Sequence, residues 1–151
     1  MRIAGIASDS VVDGPGIRFV LFTQGCFHQC PYCHNPDSHD PDGGYEISVK
    51  EVKRILARQR KKVRGVTFSG GEPFLQAQEL AQIAAFAHEL GLDVVTYTGF
   101  VYEELLRDDD PAARALLAES DMLIDGKYVH DLRDTSLRFR GSSNQRILEL
   151  R

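Results

Sequence analysis

The sequence predicts an α/β protein, an open, partial (β/α) barrel on a mostly parallel sheet. Three observations predict it. Short apolar runs alternate with helical periodicity along the 151 residues, the pattern of right-handed βαβ units. A closed eight-stranded barrel takes about 250 residues, more than are present. The residues of unusual chemistry all fall where a predicted strand ends, the edge at which parallel sheets bind ligands.

The elements follow in order. Residues 1–17 carry a brief apolar segment broken by Ser8 and Asp9, and no element is predicted there. Residues 18–23 (RFVLFT) are a mostly apolar run suited to a buried strand. Residues 24–45 form a loop rich in Pro, Asp, His and Gly. Loops of that length in a compact domain are usually functional. Ser48 opens a helix, with Glu51 at the capping-box spacing and Val49, Val52, Ile55 and Leu56 on one stripe. Arg58, Arg60, Lys61, Lys62 and Arg64 sit where that helix ends, which suits the helix dipole. Residues 63–69 (VRGVTFS) are the second strand. Residues 78–90 are a helix burying Leu80, Ile83, Ala84 and Ala87, capped by Gly91. Residues 92–98 (LDVVTYT) are the third strand. Residues 102–107 and 111–119 are short helices, the second opened by Asp110 with Pro111 in its first turn. Residues 122–125 are the fourth strand, and residues 145–150 alternate weakly, as an edge strand does.

Composition bounds the function. One domain is expected over residues 1–151, with 42% hydrophobic and 26% charged residues. A net charge of -4 argues against a general nucleic-acid binder. No stretch is apolar for long enough to span a bilayer, and the N-terminal segment is not a secretory signal. A cytoplasmic protein with no membrane partner is expected. Disulfides are rare in the cytosol, so clustered cysteines there read as metal-binding or catalytic.

The chain's three cysteines, Cys26, Cys30 and Cys33, lie within eight residues, CFHQCPYC. Three thiolates are one short of the four that a cubic 4Fe–4S cluster usually takes, which leaves one iron open. The alternative is a zinc site completed by His28, His34 or His39. Zinc sites usually pair two close ligands with two distant ones, however. Three further strings end strands: Ser69-Gly70-Gly71-Glu72-Pro73, Tyr97-Thr98-Gly99-Phe100 and Asp125-Gly126-Lys127. Taken alone each reads as a turn, the last with an ion pair. Asp37, Asp40 and Asp42 read as solvated loop. Asp13-Gly14-Pro15-Gly16 reads as a turn first and a substrate-facing feature second.

Residues 14–33 (GPGIRFVLFTQGCFHQCPYC) resemble the radical-activating signature of the radical S-adenosylmethionine superfamily. The resemblance joins a glycine turn, a basic residue, an aromatic strand and the CxxxCxxC loop. It implies the superfamily's open barrel, with Cys26, Cys30 and Cys33 holding a 4Fe–4S cluster. S-adenosylmethionine would chelate the open iron. Tyr32 matches the aromatic residue that the family packs near the adenine, and His34 lies beside the same pocket. Gly70, Gly71 and Glu72 resemble the GGE motif, whose backbone meets the methionine ammonium, with Glu72 bracing the turn. Thr98 joins the cofactor-binding set. Lys127 is expected to neutralise the methionine carboxylate, and Asp125 to orient it.

Residues 121–150 (DMLIDGKYVHDLRDTSLRFRGSSNQRILEL) resemble the end of the activating proteins of anaerobic ribonucleotide reductases. RGSSNQ, residues 140–145, is the most distinctive piece, and the sequence alone assigns it no role. The resemblance implies an oxidoreductase that cleaves S-adenosylmethionine reductively and places a glycyl radical on the reductase. A low-potential donor such as flavodoxin or ferredoxin would supply the electron. Two alternatives stay open. One is the same chemistry on another glycyl-radical enzyme such as pyruvate formate-lyase. The other is a non-catalytic metal-binding module.

Overall fold

Among the described residues seven strands join in one open sheet in the order β3-β1-β2-β4-β5-β6-β7. The computed structural model describes residues 1–28, 30, 31, 33 and 36–151. The strands are β1 (Arg2–Ser10), β2 (Arg18–Thr23), β3 (Tyr45–Glu46), β4 (Gly65–Gly70), β5 (Asp93–Tyr97), β6 (Met122–Asp125) and β7 (Arg146–Glu149). The helices are α1 (Val49–Gln59), α2 (Ala77–Glu89), α3 (Tyr102–Arg107) and α4 (Pro111–Glu119). Single 3-10 turns add Pro36–Ser38, Pro73–Gln76 and His130–Leu132.

The centre of the sheet is parallel, as expected: β2 pairs with β4, β4 with β5 and β5 with β6. Both flanks are antiparallel. β7 runs against β6, and β1 runs against both β2 and β3. The edge strand at residues 145–150 is therefore present. The strands β1 and β3 were not anticipated. β1 lies half-exposed and its register with β2 shifts twice, between Ile3 and Gly5 and between Ala7 and Ser10. Its alternation is therefore blurred.

The central strands separate two environments by alternation. Phe19, Leu21, Val66, Phe68, Val94 and Leu123 are buried in one core with Leu56, Leu80, Ile83 and Leu116 of the helices. Val20, Val95 and Ile124 are buried too, but outside that core, at the alternate positions. Burial on both faces explains the continuous apolar runs.

Local signals also hold. Ser48 Oγ accepts the Glu51 N–H at 3.0 Å, while the Glu51 carboxylate pairs with Arg54 instead of reaching back to close a capping box. Arg60 donates to the Ala57 carbonyl at 2.6 Å, so the basic run does serve the end of α1. Arg64, at its far end, pairs instead with Asp93 at 3.3 Å. Among the described residues no helix is long and apolar enough to cross a membrane.

Candidate functional site

The loops that leave β2, β4, β5 and β6 line one open cleft of about 610 Å³. That is the size range of small-molecule and cofactor sites. Cys26, Cys30, Cys33, Gly70, Gly71, Thr98 and Lys127 all line it. Seven of the sequence-predicted site residues thus meet at one place. Tyr32 and His34 lie outside the described residues. Glu72 and Asp125 are 1% and 0% exposed and are not in the cleft lining.

Backbone geometry seats the cysteine loop on the turn after β4. The Gly25 N–H donates to the Ser38 carbonyl at 2.6 Å and the Cys26 N–H to the His39 carbonyl at 3.1 Å. The Gly71 N–H donates to the Thr23 carbonyl and the Glu72 N–H to the Gly25 carbonyl, both at 2.8 Å. Those two donors are used up, so carbonyl oxygens are what this turn can offer an ammonium group. Gly70 sits at φ 92°, and a Cβ there would lie 2.5 Å from the Thr23 nitrogen. Packing against β2 therefore demands glycine before any ligand arrives.

The three thiols form no disulfide among the described residues and are half-buried. Burial pushes the Cys26 thiol above its ordinary range, and the charges of Glu72, Cys30 and Cys33 push it the same way. Burial also raises Cys30, with Cys33 adding to the effect and the Tyr128 N–H opposing it. Three thiolates that repel one another in a half-buried loop fit a cationic multi-iron group, which removes that repulsion. Among the described residues no three His, Cys, Asp or Glu side chains close tightly enough to hold a single metal ion. Three thiols on one short loop suit a cluster with one iron left open. His28, a candidate zinc ligand, spends Nε2 on Glu72 at 2.6 Å.

Glu72 is the node behind the cleft. Its carboxylate accepts the Phe74 N–H at 3.0 Å, the Thr98 hydroxyl at 2.9 Å, the Gly99 N–H at 2.7 Å and His28 Nε2. It therefore ties together the ends of β2, β4 and β5, and bracing is its visible work. Because an ionised carboxylate only accepts, Nε2 of His28 carries the proton. His28 Nδ1 is then buried without a partner among the described residues, a cost of about 1–3 kcal/mol. Phe27 and Phe100 pack on the ring, with centroids 4.8 and 4.7 Å away.

Asp125 is likewise spent behind the wall. It accepts the Tyr102 N–H at 2.8 Å and Arg146 Nε at 3.0 Å. Arg146 also donates to Glu103, which holds that carboxyl at about 2. Lys127 remains on the exposed rim.

The structure gives RGSSNQ its role. Gln145 Oε1 accepts the Gly141 and Ser142 N–H groups at 2.8 and 3.1 Å, and its Nε2 donates to the Gly126 carbonyl at 3.0 Å. Asn144 Nδ2 donates to the Lys127 carbonyl at 2.8 Å. Ser142 Oγ accepts the Val129 N–H at 3.1 Å. The string clamps the turn after β6 to residues 137–141, which form one wall of the cleft. Tyr97 donates its hydroxyl to the Phe139 carbonyl at 2.7 Å. Phe139 itself holds φ 63°, a strained position for a bulky side chain.

The other rim is residues 11–13. It rests on Arg18, the basic residue of the N-terminal signature, which is fully buried. Arg18 donates to Thr67 Oγ1 at 2.7 Å, the Pro15 carbonyl at 2.8 Å and the Val66 carbonyl at 2.9 Å, and it pairs with Asp93 at 2.5 Å. Thr67 Oγ1 in turn donates to the Asp13 carbonyl at 2.7 Å. The Asp13 segment is thus a turn held from beneath that also lines the site.

Comparison with known proteins agrees with this geometry. The family model described as a 4Fe-4S single cluster domain matches residues 12–148. The anaerobic ribonucleoside-triphosphate reductase-activating protein of Escherichia coli strain K12 is 35% identical over 149 residues, 93% of this chain and 94% of that protein. The pyruvate formate-lyase-activating enzyme of Clostridium pasteurianum is 40% identical over 138 residues. This chain spans 54% of that relative's length. The crystal structure of QueE from Escherichia coli shares the fold, with a TM-score of 0.53 at 17% identity over 65% of this chain and 52% of that one. With three thiols, a glycine turn and the RGSSNQ clamp around one cleft, the chain belongs to the 4Fe-4S single cluster domain family and, within it, to the anaerobic ribonucleoside-triphosphate reductase-activating proteins.

Proposed function

We propose that the protein is a radical S-adenosylmethionine activating enzyme that installs a glycyl radical on an anaerobic ribonucleotide reductase. The observation that carries the reading is the meeting of all three cysteines with the Gly70–Gly71 turn on one open cleft. When bound, the 4Fe–4S cluster supplies the electron that splits the sulfonium of S-adenosylmethionine, so that a glycine Cα hydrogen can be taken from the partner.

The chain's own residues bind and orient. Cys26, Cys30 and Cys33 would hold three irons. The carbonyls at Gly70 and Gly71 suit the methionine ammonium, and Lys127 on the rim suits its carboxylate. Thr98 contributes chiefly by seating the β5 turn on Glu72. Glu72 and Asp125 support from behind and touch no ligand. Tyr32 and His34 complete the set for the adenine side. No side chain needs to move a proton, because the reaction transfers an electron and a hydrogen atom. The cleft is open at its rim, which lets a loop of a large protein reach it. Residues 1–151 act as one domain in this reading. A low-potential donor such as flavodoxin or ferredoxin supplies the electron, and the cytoplasm is the compartment in which free thiols persist.

The test is anaerobic reconstitution with iron and sulfide, followed by reduction with S-adenosylmethionine and the organism's own reductase. A brown protein, 5′-deoxyadenosine and a glycyl radical signal on the reductase are expected. Cys33→Ala is expected to lose colour and cleavage together. A colourless protein that yields no 5′-deoxyadenosine would overturn the reading. The 40% identity to a pyruvate formate-lyase-activating enzyme favours a second partner. A radical on formate-lyase with none on the reductase would select it.

A further inference from the structure

We infer that His28 is the positioning residue that seats the cluster loop on the sheet, through a hydrogen bond that a residue of similar size but without a donor cannot replace. The inference rests on the cluster reading above and deepens it. His28 lies between Cys26 and Cys30, yet its side chain points back into the protein and is 3% exposed. Its Nε2 meets Glu72, 44 residues away along the chain, at 2.6 Å. Among the described residues this is the side-chain hydrogen bond that links the segment between the first two cysteines to the ends of β4 and β5. Cys26 and Cys30 both flank it closely, so the ring fixes the course of the chain that carries two of the three thiols.

Two details argue that the imidazole is retained for this bond rather than for packing. First, Nδ1 is buried and unpartnered among the described residues. A ring kept only to fill space between Phe27 and Phe100 would serve better without a second nitrogen. Second, the neighbouring chain is shaped around the ring. A Cβ on Gly99 would lie 2.5 Å from His28 Cδ2 and 2.7 Å from Nε2. The absent side chain at residue 99 lets the imidazole come close enough to share Glu72 Oε1 with the Gly99 N–H. The ring, the carboxylate and the glycine thus form one fitted unit behind the thiols. Groups that orient a ligand-bearing segment commonly alter metal retention by tenfold or more when removed.

The experiment compares His28→Gln with His28→Leu in the reconstituted full-length chain. The two side chains are similar in size, and glutamine alone can donate to Glu72. The readouts are iron per chain after desalting and the rate at which visible absorbance is lost to bathophenanthroline disulfonate. A third is the change in the reduced cluster's electron paramagnetic resonance signal on adding S-adenosylmethionine. His28→Leu is expected to lose its cluster roughly tenfold faster than wild type, and His28→Gln to recover most of that loss. The Leu variant should also show a weakened spectral response to S-adenosylmethionine. Melting of the metal-free chains reports packing separately, and a packing role would favour leucine there and in cluster retention alike. Equal loss rates for Gln and Leu, with a stable wild-type cluster, would overturn the role of His28 alone. A wild-type chain that never takes up iron would overturn the cluster reading itself.

Discussion

Replacing Arg18 by methionine tests whether the N-terminal signature is built around a buried cation. The guanidinium is fully buried and its acceptors are Thr67, Val66, Pro15 and Asp93. Methionine fills much of the volume and makes none of these bonds. Each of the three neutral acceptors left dry costs about 1 kcal/mol. The Asp93 carboxylate is a third exposed, so water recovers most of its loss and it adds under about 1 kcal/mol. The sum, about 3–4 kcal/mol, agrees with the cost of about 3–5 kcal/mol for removing one partner from a buried pair. At about 2–4 °C per kcal/mol for a domain of this size, the metal-free chain should melt roughly 6–16 °C lower. The assay is circular dichroism melting, with urea midpoints as a check. Limited proteolysis should also cut residues 11–17 faster, because the Pro15 carbonyl loses its donor. A change of under about 1 kcal/mol in Arg18→Met would refute the reasoning. It would mean that water reaches these acceptors.

Three further outcomes follow from the same geometry. Glu103 is held at about 2, first by its hydrogen bonds from Arg146, against an ordinary value of 4.5. A carboxyl lowered by folding stabilises fully above its unfolded value and loses that contribution as pH falls. The urea-midpoint gap between wild type and Glu103→Gln should therefore be constant above pH 4.5 and close as pH falls towards 2; a gap that widens would contradict the pairing. Gln145→Ala frees the Gly141 and Ser142 N–H groups and the Gly126 carbonyl. It should weaken S-adenosylmethionine binding to the loaded protein by roughly tenfold, or about 1.4 kcal/mol, and unchanged affinity in calorimetry would count against the clamp. Gly99→Ala should reproduce the fast cluster loss of His28→Leu, because its methyl occupies the space of the imidazole; wild-type retention would speak against the fitted unit.

The parallel strands were legible because burial on both faces writes short, unbroken apolar strings such as RFVLFT. β1 was not, since RIAGIASDS is half-exposed and twice out of register with β2. A two-residue strand such as β3 has no period to read. In the site, Cys26, Cys30, Cys33, Gly70 and Gly71 announced themselves by chemistry and by the strand ends they follow. The link from His28 to Glu72 could not be read, because it joins residues 44 apart and neither makes a motif with the other. RGSSNQ was visible as a string, but its meaning lies in backbone groups of Gly126, Lys127 and Val129 that the string itself does not contain.

Glu72 collects donors from three separate stretches of chain while presenting nothing to the cleft. Any screen scored solely by lost turnover will rank it alongside the three cleft cysteines. Engineers who wish to retune what this centre accepts should leave that carboxylate untouched and vary the rims, where Val12 and Leu137 face the opening without sharing in its scaffold.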